Sequence, residues 1–216
     1  MEEQETAAQG KENYLVSFKN FNLFHSFTDL EFLKALDDFE IKDSDIFLIT
    51  YPFSGTVWSQ QIVNLILYDE HQNGTENVEN LERAPCLEYS TNNIDLVHRP
   101  SPRIFSSHLP YYIMPKALRN KKGKVVYVYR NPKVTMSSFY HFTRLLTHLE
   151  ATDTTEDFME RFLAGNDNPS NPLPYLPSAE LSGLTLKNPT ILIDARIYAN
   201  CWCSFYLMGC GSRFVQ

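Results

Sequence analysis

The sequence predicts an α/β fold with a mainly parallel sheet flanked by helices, and two segments carry that expectation. Asp45 to Tyr51 (DIFLITY) is a short apolar run of β-formers. It stops at Pro52-Phe53-Ser54-Gly55 and gives way to a helical pattern from Val57-Trp58 to Leu67. Lys124 to Tyr129 (KVVYVY) is continuous enough to be buried on both faces. It ends at Arg130-Asn131-Pro132, and Pro132 suits the first turn of a helix carrying Met136, Phe139 and Phe142. Strands alternating with helices imply parallel pairing through crossovers.

The remaining elements follow from local pattern. Thr28-Asp29-Leu30-Glu31 has the form of a capping box ahead of Phe32, Leu33 and Leu36, so a helix is expected to begin near Thr28. Arg103 to His108 (RIFSSH) reads as a second short strand. Thr155 to Leu163 reads as a helix with Phe158, Met159, Phe162 and Leu163 on one face and Gly165 as its stop. TILID, inside Leu181 to Asp194, reads as a strand. Residues 1–13 are expected to be a flexible tail and residues 14–166 one domain. The last 50 residues hold 6 charged side chains against 39 in the first 166, which sets 167–216 apart as a divergent tail of uncertain structure.

Composition narrows the functions. A chain of 216 residues suits a single core, and its net charge of −7 leaves no surplus of cations for a nucleic-acid backbone. No apolar run approaches the ~20 residues that span a bilayer, so no membrane partner is expected. The opening MEEQETAAQGKENY is too acidic and polar for a signal or transit peptide. Cys86, Cys201, Cys203 and Cys210 lack CxxC spacing, which argues against a metal site and for reduced thiols in the cytoplasm.

Two constellations carry chemistry. In the first, Phe53, Ser54, Gly55, Thr56, Val57 and Trp58 join a strand to a helix. Successive amides there, with a helix N-terminus behind them, can hold a phosphate, and Gly55 permits close approach. An ordinary turn and helix cap would look the same in isolation. The loop is not a Walker sequence, because GxxxxGK[ST] is absent, which sets aside a nucleotide kinase. In the second, Arg130 stands at a strand end and Ser138 eight residues on in the next helix. Both can face the crevice at the carboxyl ends of the strands and take a second phosphate; a surface arginine and a helix serine are the plain alternative.

Taken together, Tyr51 to Trp58 (YPFSGTVW) and Tyr129 to Phe142 (YRNPKVTMSSFYHF) resemble the cytosolic sulfotransferase family, with wording nearest its amine sulfotransferase branch in QQI, NGTEN and RIFSSH. The resemblance implies a P-loop-like fold that binds the sulfate donor PAPS, incomplete here at the C-terminal end. It implies transfer of a sulfuryl group to an amine or phenol of a small molecule, without metal. His108 in SHLP would be the base, the loop would hold the 5′-phosphosulfate, Trp58 would stack on adenine, and Arg130 with Ser138 would clamp the 3′-phosphate. Glu88, in the segment resembling the acceptor-pocket loop, would meet a cationic acceptor or stand in solvent. His141 and His148 are read as structural. A homodimer is among the assemblies the resemblance allows.

Two departures bear on activity. The family carries a lysine where this chain has Phe53, and its RKGxxGDW-type closing segment finds no match in residues 167–216. Impaired transfer is the expectation. The other reading is an inactive relative that at most binds nucleotide or a partner chain.

Overall fold

A computed structural model describes residues 15–68, 78–89, 94–120, 122–145, 154–164 and 190–194. The chain enters through a hairpin that the sequence reading did not foresee. Strands β1 (Leu15–Phe18) and β2 (Phe21–Phe24) pair antiparallel around Lys19 and Asn20, whose φ angles of 49° and 62° are the positive pair a tight hairpin turn needs. Helix α1 (Leu30–Ala35) follows. Its cap is Asp29 and not Thr28: the carboxylate accepts from the amides of Glu31 and Phe32, both at 3.0 Å. The expected box does not form, because the Asp29 carboxylate reaches two first-turn donors and the residue three on from it is Phe32, which has no side-chain acceptor to return the bond.

The sheet is parallel. Strands β3 (Ile46–Thr50), β4 (Ile104–Ser107), β5 (Lys124–Tyr129) and β6 (Thr190–Asp194) are ordered β4-β3-β5-β6. The three strands read from DIFLITY, RIFSSH and KVVYVY are therefore neighbours, and the TILID strand adds outside β5. Every residue of β3 is buried, as a central parallel strand covered on both faces requires. Side chains alternate between two cores. Phe47, Ile49, Phe105 and Val125 pack with Leu33, Leu36 and Leu118 on one face, the last from α4 (Lys116–Arg119). Ile46, Leu48, Ile104, Val126 and Val128 meet Val63 of helix α2 (Thr56–Tyr68) on the other, beside Ala84 at the end of α3 (Asn80–Arg83).

Beyond β5, helix α5 (Pro132–Thr143) starts with the expected proline in its first turn, capped by Asn131 on the Lys133 amide at 3.0 Å. Helix α6 (Thr155–Ala164) rests on it through Phe158 and Phe162, which pack with Phe139 and Tyr140. Met159 and Leu163, expected on the same face, are 40% and 70% exposed. A helix turns about 100° per residue, so a narrow contact with one partner helix buries positions 158 and 162 and leaves their neighbours on the flank. No helix among the described residues is long and apolar enough to cross a membrane.

At the amino ends of β3 and β4, Arg103 and Asp45 form an ion pair whose side chains are 1% and 0% exposed. Arg103 Nε donates to Asp45 Oδ1 at 2.9 Å, and the same guanidinium donates to the carbonyls of Val97 and Glu40. Asp45 also accepts from the Lys42 amide at 2.7 Å. With both charges fully hydrogen-bonded, the pair ties two strands to the loops beneath them. Replacing Asp45 by Ala strands a buried guanidinium and is expected to lower the unfolding free energy by about 3–5 kcal/mol. Denaturant melts check this, and a loss under about 1 kcal/mol would show that the pair is dispensable.

Candidate active site

The carboxyl ends of β3, β4 and β5 lie side by side, and each strand exit delivers one part of a polar cluster. From β3 the chain passes through a turn in which the Ser54 amide donates to the Tyr51 carbonyl at 3.0 Å. Phe53 (φ 64°) and Gly55 (φ 114°) both adopt left-handed backbone. Glycine accepts that conformation without strain, whereas a residue with a Cβ such as Phe53 does so at a cost of about 1 kcal/mol. The contorted turn feeds directly into α2, whose first i→i−4 bond is Ser59 to Gly55 at 3.0 Å. No carboxylate occupies the first turn of α2, so its positive dipole end keeps its attraction for an anion.

From β5 comes Arg130, a buried residue. Its Nη1 donates to the Phe53 carbonyl at 3.1 Å and to Ser138 Oγ at 3.3 Å. The structure thus brings both constellations together: the arginine of the second is bonded to the backbone of the first. Burial lowers the Arg130 pKa from the usual arginine value, yet a guanidinium starts so high that it stays charged. The Phe53 ring turns to α5, where it stacks on Phe139 at 4.7 Å and meets Phe142 at 5.0 Å between ring centroids. Tyr51 lies in the same aromatic group, and burial pushes its hydroxyl pKa up, so it stays neutral.

From β4 comes His108, half-buried. Its Nδ1 lies 2.8 Å from the Thr50 carbonyl and 3.1 Å from Thr50 Oγ1. A carbonyl only accepts, so Nδ1 carries the hydrogen, and a neutral ring then has its lone pair on Nε2. The His108 amide donates to Glu88 Oε1 at 2.5 Å, and Ser107 Oγ donates to Glu88 Oε2 at 2.8 Å. Glu88 is 1% exposed, so the expectation that it stands in solvent is corrected. Both its oxygens are engaged in holding the turn that presents His108. Cys86 is buried beside it, and burial followed by the charge of Glu88 raises its thiol pKa, leaving it unreactive.

Thr50 and Glu88 are the residues sequence reasoning missed in these roles. Thr50 looks like the last position of a strand and Glu88 like a loop carboxylate; the pairing of β3 with β4 brings Thr50 to His108, and the bridge between Cys86 and Ser106 of β4 brings Glu88. Val57 and Trp58 sit half-buried in the first turn of α2.

A family model described as the sulfotransferase domain matches residues 43–180, which take in the loop, His108, Arg130 and Ser138. The chain belongs to the sulfotransferase family. Among curated relatives of this chain, the amine sulfotransferase of Oryctolagus cuniculus is 53% identical over 152 residues, covering 70% of this chain and 50% of that protein. Sulfotransferase 2B1 of Mus musculus is 40% identical over 125 residues, covering 58% of this chain and 37% of that protein. The chain thus spans half or less of the length of these two relatives. Its fold is similar to a mouse sulfotransferase complexed with PAP, with a TM-score of 0.63 at 24% identity over 83% of this chain and 61% of that one. Retinol dehydratase in complex with retinol and PAP gives 0.62 at 20% identity, over 80% and 60%.

The stack of Phe53 can be weighed against its backbone strain. Phe53→Ala is expected to lower stability by about 1–3 kcal/mol through lost ring contacts. Phe53→Gly loses the same contacts but sheds the left-handed strain, so it is expected to be about 1 kcal/mol more stable than Phe53→Ala. Urea melts of both variants decide it; equal stability would contradict the strain.

Proposed function

We propose that this sulfotransferase chain transfers a sulfuryl group from PAPS to an amine or hydroxyl of a small molecule, slowly because of Phe53. The observation that carries the reading is the bond from Arg130 to the Phe53 carbonyl. It sets a cation and the Ser138 hydroxyl against an amide-rich loop at a helix N-terminus, which suits a ligand with anionic groups at two ends. Residues 53–58 would hold the 5′-phosphosulfate, and Arg130 with Ser138 the 3′-phosphate. Gly55 leaves the loop backbone accessible and Thr56 adds a hydroxyl. PAPS, when bound, supplies the sulfuryl group and a phosphate as its leaving group.

The rest of the chemistry belongs to the chain. His108 takes the acceptor's proton at Nε2, with the opposite nitrogen anchored on Thr50. The carboxylate of Glu88 holds the backbone that carries the ring, which keeps the base in register with the loop. Loop amides and the Thr56 hydroxyl face the negative charge that grows as the bond to phosphate breaks. Phe53 brings no charge to that site, and the absence of one aimed donor costs about 10²–10³ in rate. An amine acceptor is favoured by the likeness to the rabbit amine sulfotransferase. The inactive alternative draws on the same ring, since Phe53 is committed to α5.

Mass-spectrometric assay of sulfated product, with PAPS and a panel of amines and phenols, separates the two. Slow turnover by the native chain, none by His108→Gln, and a gain of about 10²-fold in Phe53→Lys is the outcome expected for a crippled enzyme. No product from either the native chain or Phe53→Lys would favour the inactive relative.

A further inference from the structure

The hydrogen bonds around Thr50 form an unbroken line from His108 to the phosphate-binding loop. Thr50 Oγ1 lies 3.1 Å from His108 Nδ1 and 2.7 Å from Thr56 Oγ1. Counting hydrogens fixes the first link of the line, while the link between the two hydroxyls can run either way. His108 Nδ1 bears its hydrogen, because the Thr50 carbonyl at 2.8 Å cannot donate. Thr50 Oγ1, at 3.1 Å, is the second and longer acceptor of that same hydrogen, which leaves its own hydrogen available to Thr56 Oγ1. With the link run that way, Thr56 is left to donate, from the first residue of α2, at the mouth of the anion loop. Every proton in the line then points away from the base and toward the loop.

We propose that Thr50 is a positioning residue that couples the base to the donor site through this two-threonine relay. The proposal rests on the functional reading above. An anion in the loop takes the Thr56 hydrogen, which commits Thr56 to accepting from Thr50 and Thr50 to accepting from His108. Occupancy of the loop thereby adds a second directed acceptor at Nδ1 to the Thr50 carbonyl, which already fixes the lone pair at Nε2. The coupling also runs in reverse. A ring that has gained a proton at Nε2 donates more strongly from Nδ1, and hydrogen bonds in series polarise one another. The Thr56 hydroxyl becomes a better donor at the moment when charge grows in the loop. With a phenyl ring at position 53, the relay links base and leaving group without a lysine.

Thr50 is 2% exposed, and Val is its near-isostere, so Thr50→Val removes the hydroxyl while keeping the carbonyl that anchors His108. The probe is PAP, and the readout is the ¹⁵N signal of the His108 side chain, assigned by its loss in His108→Gln. In the native chain PAP is expected to move that signal. In Thr50→Val the movement is expected to vanish and PAP to bind about threefold to tenfold more weakly, with Thr50→Ser restoring both. Should Thr50→Val fail to fold, Thr56→Val cuts the line at its half-buried end and is expected to abolish the same movement. PAP binding with no shift in the native chain, or with the shift surviving in Thr50→Val or Thr56→Val, overturns the relay and leaves the donor site standing. Failure of PAP to bind the native chain overturns both.

Discussion

The bond from Arg130 to the Phe53 carbonyl is the constraint on which the site depends. A buried guanidinium has to place its N–H groups on acceptors, and an amide-rich loop has to show its donors outward. Directing Nη1 at a loop carbonyl meets both needs, because it turns that carbonyl inward and leaves the amide side of the turn toward the helix mouth. The contact exists only because β3 and β5 pair in parallel with Thr50 opposite Val128. A register slip of one residue would turn every side chain of β5 to the other face and break the two cores along with the site. The turn between β3 and α2 is thus anchored by the sheet.

Much of this was legible in the sequence, and for a physical reason. A buried parallel strand is written as a short apolar run, and what ends it is a local signal: Pro52 to Gly55 after β3, and Asn131-Pro132 after β5. Those breaks name the strand exits where parallel sheets place their ligands. Arg130 and Ser138 stand eight residues apart on one strand exit and one helix, so local geometry allows both to face one crevice, and the bond between them is what the structure adds. The TILID strand was legible on the same grounds, although residues 167–216 were set apart as a divergent tail.

What was missed is nonlocal or depends on a choice of one residue. Arg103 finds Asp45 from 58 positions away, and Thr50 reaches His108 across the same separation. No window of sequence contains either pair. Glu88 looked like a loop carboxylate because its place beside His108 comes from a bridge between Cys86 and Ser106, 20 positions apart. The hairpin at Lys19-Asn20 escaped because lysine is an unusual choice for left-handed backbone. The capping of α1 fell to Asp29 instead of Thr28, and Met159 and Leu163 turned outward, since periodicity marks a stripe without saying how wide its partner is.

Phe53 changes what holds the loop. A cation at this position would be held by anions and water, and it would move with them. The ring is instead fixed against Phe139 and Phe142, so the turn is anchored by apolar contact whether or not a ligand is present. Under the proposed function, such a loop would keep its shape while lacking one aimed charge, so that binding would survive where rate does not. Calorimetry comparing PAP with adenosine 5′-monophosphate asks most directly whether two cradles grip one molecule. The native chain should prefer PAP by at least about tenfold through the charge-assisted bonds at Arg130, and Arg130→Ala should erase that preference. Equal affinity for the two nucleotides in the native chain, or a preference that survives in Arg130→Ala, would contradict a shared cleft.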